Sequence, residues 1–113
     1  MTSRLEIFQE MAEQQPDDAM VWYGLASEYT KLERWSEAAT ALERVVTLNP
    51  DYTAAFQMLG TTLMTLGKSA EARQSWTQGI EAANRTGAWK ARQHMEGLLA
   101  TSDTESEPGF CQE

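Results

Sequence analysis

The apolar positions of this chain repeat at an interval of 34 residues. Each unit opens with a large aromatic residue, followed by a leucine, a small residue and another large side chain at the spacing of one helical face. A period of this length is typical of paired antiparallel helices, which bury their apolar faces only by stacking on neighbouring pairs. The matching residues are Trp22 and Phe56, Leu25 and Leu59, Ala26 and Gly60, Tyr29 and Leu63, Ala38 and Ala72, Leu42 and Trp76, Val45 and Gly79, and Pro50 and Asn84.

The first predicted helix is half of a unit. Ser3 and Glu6 have the spacing of a capping box, in which each residue satisfies an open backbone N–H of the other. Pro16 ends this helix, because a proline disfavours helical geometry at the residue before it. The apolar residues of the helix and Pro16 lie 34 residues before the second half of the first complete unit. The array therefore begins in the middle of a unit.

Two helices form the first complete unit. Asp17 or Asp18 caps a helix that runs to about Leu32. After a turn, Ser36 is predicted to cap the next helix, which Pro50 ends.

The second complete unit repeats this arrangement. A helix is predicted from Tyr52 to about Leu66, with Gly67 at the C-terminal position that requires a positive φ. Ser69 is predicted to cap the following helix, which runs to about Ala83.

A final helix is predicted from Ala88 to Ala100, after a break at residues 84–87. Its register does not match a third unit, because Trp89 lies one residue before the expected aromatic position. A helix with one apolar side and one polar side is what the end of a stacked array requires. The apolar side is formed by Ala88, Ala91, Met95, Leu98 and Leu99.

These patterns predict an all-α fold, an α-α superhelix of about six antiparallel helices. Residues 1–100 form one domain, with the half-unit at 2–16, complete units at 19–52 and 53–86, and a capping helix at 87–100. Residues 101–113 are polar, acidic and interrupted by a proline, and this composition predicts a disordered tail.

The charge of the chain argues against two classes of partner. The net charge is −8, and the basic residues are scattered rather than clustered as phosphate binding requires. Nucleic acid and anionic membrane surfaces are therefore not expected as partners. The N-terminus has no apolar leader, and no apolar run approaches the roughly 18 residues of a membrane span. We expect a soluble, cytoplasmic protein.

The sequence offers little for catalysis or metal binding. His94 is the only histidine, so there is no histidine pair for zinc and a single candidate base for every hydrolytic arrangement. A solvated helix residue is the favoured interpretation of His94. The only cysteine, Cys111, lies in the acidic tail, which favours an ordinary thiol. We expect no catalytic residues, no metal site and no cofactor.

The repeated residues resemble the tetratricopeptide repeat family, whose period and W-x2-L-G-x2-Y pattern they follow. The first unit matches from Trp22 to Tyr29, with Ala26 in place of the glycine. The second is looser, since Asn84 stands where a proline is usual. The resemblance covers roughly residues 4–100 and extends to small bacterial members that end in a capping helix.

The resemblance implies protein recognition on a concave surface lined by the first helix of each unit. In this family the surface receives a peptide of a partner, whereas a helix face that is only solvated would bind nothing. Arg92 and Ala88 would add to the surface if the last helix took the same orientation. The residues implied are Met20, Tyr23, Gly24, Ser27, Thr30, Lys31, Gln57, Met58, Thr61, Met64 and Thr65.

One specialised role of the family is disfavoured by the residues present. Members that bind the C-terminal carboxylates of major chaperones use Lys, Asn and Arg at fixed positions, which here carry Tyr23, Ser27, Met58 and Ala88. Only Arg92 is a match. The surface suits a neutral or partly apolar peptide, to which methionines adapt well.

The predicted function is a non-catalytic adaptor or scaffold, monomeric rather than homo-oligomeric, that binds such a peptide. The alternative is a module that associates with itself through its end faces or Trp89. An enzyme or small-molecule binder is a third and weaker reading.

Overall fold

Six α-helices account for most of residues 3–105, the part of the chain that this computed structural model describes. The prediction of an all-α superhelical fold is confirmed. The helices are α1 (Arg4–Gln14), α2 (Ala19–Lys31), α3 (Trp35–Leu48), α4 (Thr53–Thr65), α5 (Ser69–Thr86) and α6 (Trp89–Glu105).

Side-chain caps begin the first two helices, as predicted. The backbone N–H of Glu6 donates to Ser3 Oγ at 3.2 Å, and the N–H of Ser3 donates to Glu6 Oε1 at 2.9 Å, which completes the capping box. At the start of α2, Asp18 Oδ1 accepts from the N–H of Met20 at 3.0 Å. Both helices therefore start where the sequence places them.

The predicted caps Ser36 and Ser69 are wrong. Each serine lies inside its helix, and neither α3 nor α5 has a side-chain cap hydrogen bond. The preceding turns explain the difference, because each contains a left-handed residue, Glu33 with φ 59° and Gly67 with φ 82°. In each turn a backbone N–H donates to a carbonyl oxygen near the end of the previous helix, Arg34 to Tyr29 and Lys68 to Leu63. The next helix therefore begins two residues earlier than predicted at α3 and one residue earlier at α5. The positive φ predicted for Gly67 is confirmed.

The last two helices are longer than predicted. Helix α5 continues past Ala83 to Thr86, and Gly87 ends it with φ 78°. Arg85 supports this extra turn, because its Nε donates to Asp51 Oδ1 at 2.8 Å. Helix α6 continues past Ala100, so residues 101–105 of the predicted disordered tail are helical. The rest of that tail, residues 106–113, lies outside the described residues.

The helices stack in two layers. Each helix packs antiparallel on the next along the chain, so α1, α3 and α5 form an outer layer, and α2, α4 and α6 form an inner layer. Helix α4 also touches α6, whereas clefts separate the helices of the outer layer. The stack therefore curves with the inner layer on its concave side.

The core is continuous from α2 to α6. Leu42 and Val45 of α3 and Met95 of α6 are fully buried, and Trp76 of α5 is 2% exposed. Met95 joins the same apolar cluster as Trp76, so α6 covers the last face of the array, as predicted for a capping helix. A smaller cluster around Leu25 joins α1 to α2.

A glycine lets α4 and α5 approach closely. A Cβ at Gly60 would overlap three atoms of the Trp76 indole. Trp76 Nε1 also donates to the carbonyl oxygen of Gln57 at 3.3 Å, one turn earlier in α4. The indole of Trp76 therefore occupies the space that a side chain at position 60 would fill.

Two aromatic rings join α2 to the loop before α4. Tyr23 stacks on Tyr52 with 5.0 Å between ring centroids and 23° between ring planes. Desolvation, and to a lesser extent the neighbouring Tyr23, raise the pKa of the Tyr52 hydroxyl above its ordinary value. Burial favours the neutral phenol because the anion loses its hydration.

We expect Gly60→Ala to lower the free energy of unfolding by about 1–3 kcal/mol, because the methyl group displaces the Trp76 ring. Gly97→Ala is the matched control, since Gly97 is also within a helix but has open space around it. It should raise stability by about 0.5–1 kcal/mol through helix propensity alone. Urea unfolding of both variants measures the difference, and equal effects would contradict the close approach.

We expect Tyr52→Phe to reduce the loss of stability at alkaline pH. The raised pKa means that the folded state favours neutral Tyr52, so its stabilising effect is complete below the unfolded pKa of about 10 and disappears as pH rises through the folded pKa. Urea unfolding at about pH 9 and about pH 11 should show a smaller decrease for the variant than for the wild type. An equal decrease would contradict this assignment.

Candidate functional site

The predicted concave-face residues lie on the inner-layer helices α2 and α4, apart from Ala88 in the turn before α6 and Arg92 of α6. Along α2 they run from Met20 in the first turn to Lys31 in the last, and along α4 from Gln57 to Thr65. Both helices pack antiparallel on α3, so they run in the same direction. We call the surface formed by these residues of α2 and α4 the concave face.

Apolar and aromatic side chains form the part of the concave face that is packed against the core. Tyr23, Met58 and Met64 are half-buried and pack against the main core cluster. Met20 differs, because 73% of it is exposed at the edge of α2. A thioether at such a position offers an adaptable apolar contact.

The threonines of the concave face use their hydroxyl protons internally. Thr61 Oγ1 donates to the carbonyl oxygen of Gln57 at 3.1 Å, and Thr65 Oγ1 donates to the carbonyl oxygen of Thr61 at 3.0 Å. Thr30 donates in the same way to Ala26 at 2.9 Å. What these residues present outward is therefore a methyl group and an oxygen that accepts.

The concave face is close to neutral. Helix α4 has no charged residue, and α2 has one acid and one base, Glu28 and Lys31. Lys31 Nζ lies 3.2 Å from Glu28 Oε2, and Arg4 Nε of α1 lies 3.4 Å from the same oxygen. The outer-layer helices differ, since α1, α3 and α5 carry seven acidic and four basic residues.

Three predicted members of the surface have packing partners. The ring of Phe8 lies against Gly24, so part of this position is covered by α1. Ala88 is half-buried in the turn before α6. Arg92 Nη1 donates to Asn84 Oδ1 at 3.1 Å, and its buried Nε has no hydrogen-bond partner in the described part of the chain. These contacts tie Arg92 to α5.

Sequence reasoning did not identify two grooves on the opposite, outer side of the molecule. The first groove lies between α1 and α3 over the floor residues Trp22, Leu25 and Tyr29. The second groove lies between α3 and α5 over Phe56, Leu59 and Leu63, which are the same three positions 34 residues later. Comparing the repeat positions of the outer helices would have located both grooves.

The first groove has an aromatic floor with defined polar contacts. Trp22 Nε1 donates to the carbonyl oxygen of Pro16 at 2.9 Å, and Gln9 Nε2 donates to Tyr29 Oη at 3.1 Å. The guanidinium of Arg34 lies 5.1 Å from the centre of the Tyr29 ring. Hydrogen bonds to Glu37 raise the pKa of Arg34 above its ordinary value.

The described residues show no candidate metal centre or membrane segment. No three His, Cys, Asp or Glu side chains within residues 3–105 are grouped to hold a metal ion. No helix in this range is long and apolar enough to cross a bilayer. His94 is exposed on α6.

Comparison with known proteins agrees with this architecture. A sequence profile of the tetratricopeptide repeat matches residues 5–59. A tetratricopeptide repeat-containing protein of Pseudomonas aeruginosa is 31% identical over 99 residues, which cover 88% of this chain and 94% of the relative.

Solved structures share the fold. A solution structure from Bordetella parapertussis has a TM-score of 0.78 and 28% identity, and the match covers 93% of this chain and 91% of the other. The Yersinia enterocolitica type III secretion chaperone SycD, bound to a peptide of the translocator YopD, has a TM-score of 0.83. Its identity is 15%, with 91% of this chain and 79% of SycD covered, so this likeness concerns the fold alone. From its repeat and from these relatives, the chain belongs to the tetratricopeptide repeat family.

Proposed function

We propose that this protein is a non-catalytic adaptor or scaffold that binds a short, largely neutral peptide segment of a partner protein on its concave face. The observation that carries the proposal is the chemistry of that face. Its charges are paired, its threonine protons are used within the helices, and its methionines and Tyr23 form an apolar surface. Such a surface favours apolar side chains and peptide N–H donors over charged groups.

Gln57 supplies the polar contact that an extended peptide needs. Its side-chain amide has no hydrogen bond to any described residue, and it is half-buried at the start of the α4 row. An amide offers both donors and acceptors, so it can pair with the backbone of a bound peptide. The nearby Thr61 oxygen adds an acceptor. The face therefore combines apolar contacts with a small number of polar ones, as binding sites commonly do.

Peptide binding by the same fold supports the proposal. SycD, which shares the fold at low sequence identity, is known in complex with a peptide of its translocator. The peptide proposed for the present protein is inferred from the residues of its own concave face, and these favour a neutral sequence. A carboxylate-binding clamp is not part of the proposal, because Tyr23, Ser27 and Met58 occupy positions that would need basic or amide side chains.

We expect Thr61→Arg to weaken peptide binding at least tenfold, or about 1.4 kcal/mol, because it places a long charged side chain in the middle of the neutral face. Peptides are first selected from a random displayed library on the wild-type protein. Their dissociation constants are then measured by fluorescence anisotropy on wild type and variants. The selected sequences should be rich in apolar residues and low in net charge.

Thr77→Arg is the matched control for this experiment. Thr77 is also exposed and also donates to the carbonyl oxygen four residues earlier, at 2.9 Å, but it lies on the outer-layer helix α5. The control should bind within about twofold of wild type. Equal weakening by both variants, or selected peptides dominated by charged residues, would contradict the concave-face proposal.

Self-association is a second candidate function, favoured by exposed apolar residues near the two ends of the array. Ile7 of α1 is 46% exposed and Trp89 of α6 is 57% exposed. These helices are the terminal members of the stack, and an array of two and a half units exposes both end faces. Lys90 Nζ lies 5.6 Å from the centre of the Trp89 ring and covers part of it.

Light scattering during size-exclusion chromatography distinguishes the two candidates. We expect a mass near the 12.7 kDa of the single chain at all concentrations, because Ile7 and Trp89 are isolated side chains rather than a continuous patch. A larger mass that decreases on dilution, and returns to the monomer value in Trp89→Ala, would support self-association through α6 instead.

A further inference from the structure

The first groove is shaped by small residues at repeat positions where the second groove has larger or more polar ones. Ala12 on the α1 wall corresponds to Val46 on the α3 wall of the second groove. On the opposite wall Ala41 corresponds to Ser75. The floor of the first groove is therefore flanked by methyl groups, and of its two aromatic side chains Trp22 is half-buried and Tyr29 is buried.

The empty space over this floor is sufficient for several side chains. The parts of the first groove on the α3 side and the α1 side have volumes of about 260 Å³ and 490 Å³, and both are lined by Trp22, Leu25 and Tyr29. These floor residues lie on one face of α2, at positions i, i+3 and i+7, and span about two helical turns. A second helix laid along the groove would present side chains at the same spacing.

The charged residues around the first groove leave one acidic side chain without an ion pair. Glu13 and Glu37 line it, and two basic residues lie at its edges. Arg34 lies beside the Tyr29 ring, and Arg44 Nη2 donates to the same Pro16 oxygen as Trp22 Nε1 and lies 3.7 Å from Asp17 Oδ1. Glu37 is paired with Arg34 at 2.6 Å, whereas Glu13 is exposed and has no ion pair among the described residues. The two helices that flank this groove, α1 and α3, carry five acidic and two basic residues. A partner with basic residues at the edges of an apolar stripe is complementary to this arrangement.

We propose that the first groove is a second binding surface, separate from the concave face, and that its partner is a basic amphipathic helix of another protein. Apolar side chains of that helix fill the space over Trp22, Leu25 and Tyr29. Its lysine or arginine residues lie beside Glu13. Tyr29 contributes a polar contact, because its hydroxyl accepts from Gln9 while its own proton has no acceptor in the described part of the chain.

The second groove does not fit the same partner. Its wall residues Gln74, Gln78 and Val46 replace Thr40, Arg44 and Ala12 at the equivalent positions. Its two parts have volumes of about 380 Å³ and 310 Å³, so the difference between the grooves is in side-chain chemistry rather than in space. Insertion of an apolar side chain beside Gln74 and Gln78 is less favourable, because these polar amides then lose their hydration. The two grooves share one backbone geometry and differ in side chains, which makes the second groove an internal control.

The test uses the full chain and a synthetic probe. The probe is a capped peptide of about 18 leucine and lysine residues with leucines at i, i+3, i+4 and i+7 spacing, so that it forms a basic amphipathic helix. A second peptide has glutamate in place of every lysine. Titration into isotopically labelled protein should shift the amide signals of α1 and α3 beside the first groove. The glutamate peptide should bind at least about tenfold more weakly.

Two variants with equal charge locate the site. Thr40→Arg places a long basic side chain at the wall of the first groove, and Gln74→Arg does the same at the corresponding position of the second. Both positions are exposed, so both variants should fold. We expect at least a tenfold loss of affinity for Thr40→Arg and a change within about twofold for Gln74→Arg. Equal losses in both variants, or no loss in either, would overturn the proposal.

The outcome is independent of the concave-face proposal. Thr61→Arg lies on the other layer and should leave the affinity for the leucine–lysine peptide within about twofold of wild type. If Thr61→Arg weakens this binding and Thr40→Arg does not, the probe occupies the concave face and the inference about the first groove fails. Equal binding of the glutamate peptide would also overturn it. Signal shifts in the wild type locate the probe even if one variant is unstable.

Discussion

The stack depends on large side chains that lie directly against glycines of the neighbouring helix. Trp76 of α5 meets Gly60 of α4, Phe8 of α1 meets Gly24 of α2, and a Cβ at Gly79 would lie 2.5 Å from the Sδ of Met95. Each contact joins an outer-layer helix to an inner-layer helix. Without side chains at these glycines, the axes approach closely enough to exclude water from the interior, and this sets the spacing of the array.

This packing also determines which types of residue lie on each surface. The inner-layer helices α2 and α4 are packed on two sides, so their remaining residues are small or neutral, and the one acid and one base form a pair. The outer-layer helices have a wider solvated side, where carboxylates have no desolvation cost. One curved stack therefore has a neutral concave face and an acidic outer side.

The parts of the fold that were predictable from the sequence are those determined by local or periodic constraints. The capping box of Ser3 and Glu6, the positive φ of Gly67 and the small residue at Gly60 follow from spacing alone. The starts of α3 and α5 could not be predicted from spacing, because they depend on the conformation of the preceding turn. At Glu33 that turn uses a left-handed conformation that a glutamate rarely adopts. The stack of Tyr23 on Tyr52 was not predicted because it joins residues of different elements. The binding role of the concave face remains a prediction.

The grooves show how a repeat protein gains distinct surfaces from one geometry. Period 34 places Leu25 and Leu59 under equivalent grooves, so the backbone alone gives both the same shape. What differs is the wall, where alanines at positions 12 and 41 are replaced by Val46 and Ser75. Shared positions maintain the stack and are constrained by it, whereas wall positions vary without disturbing the glycine contacts. Selectivity for a partner is therefore expected to depend on the wall positions that differ between the two units, rather than on the positions that the units share.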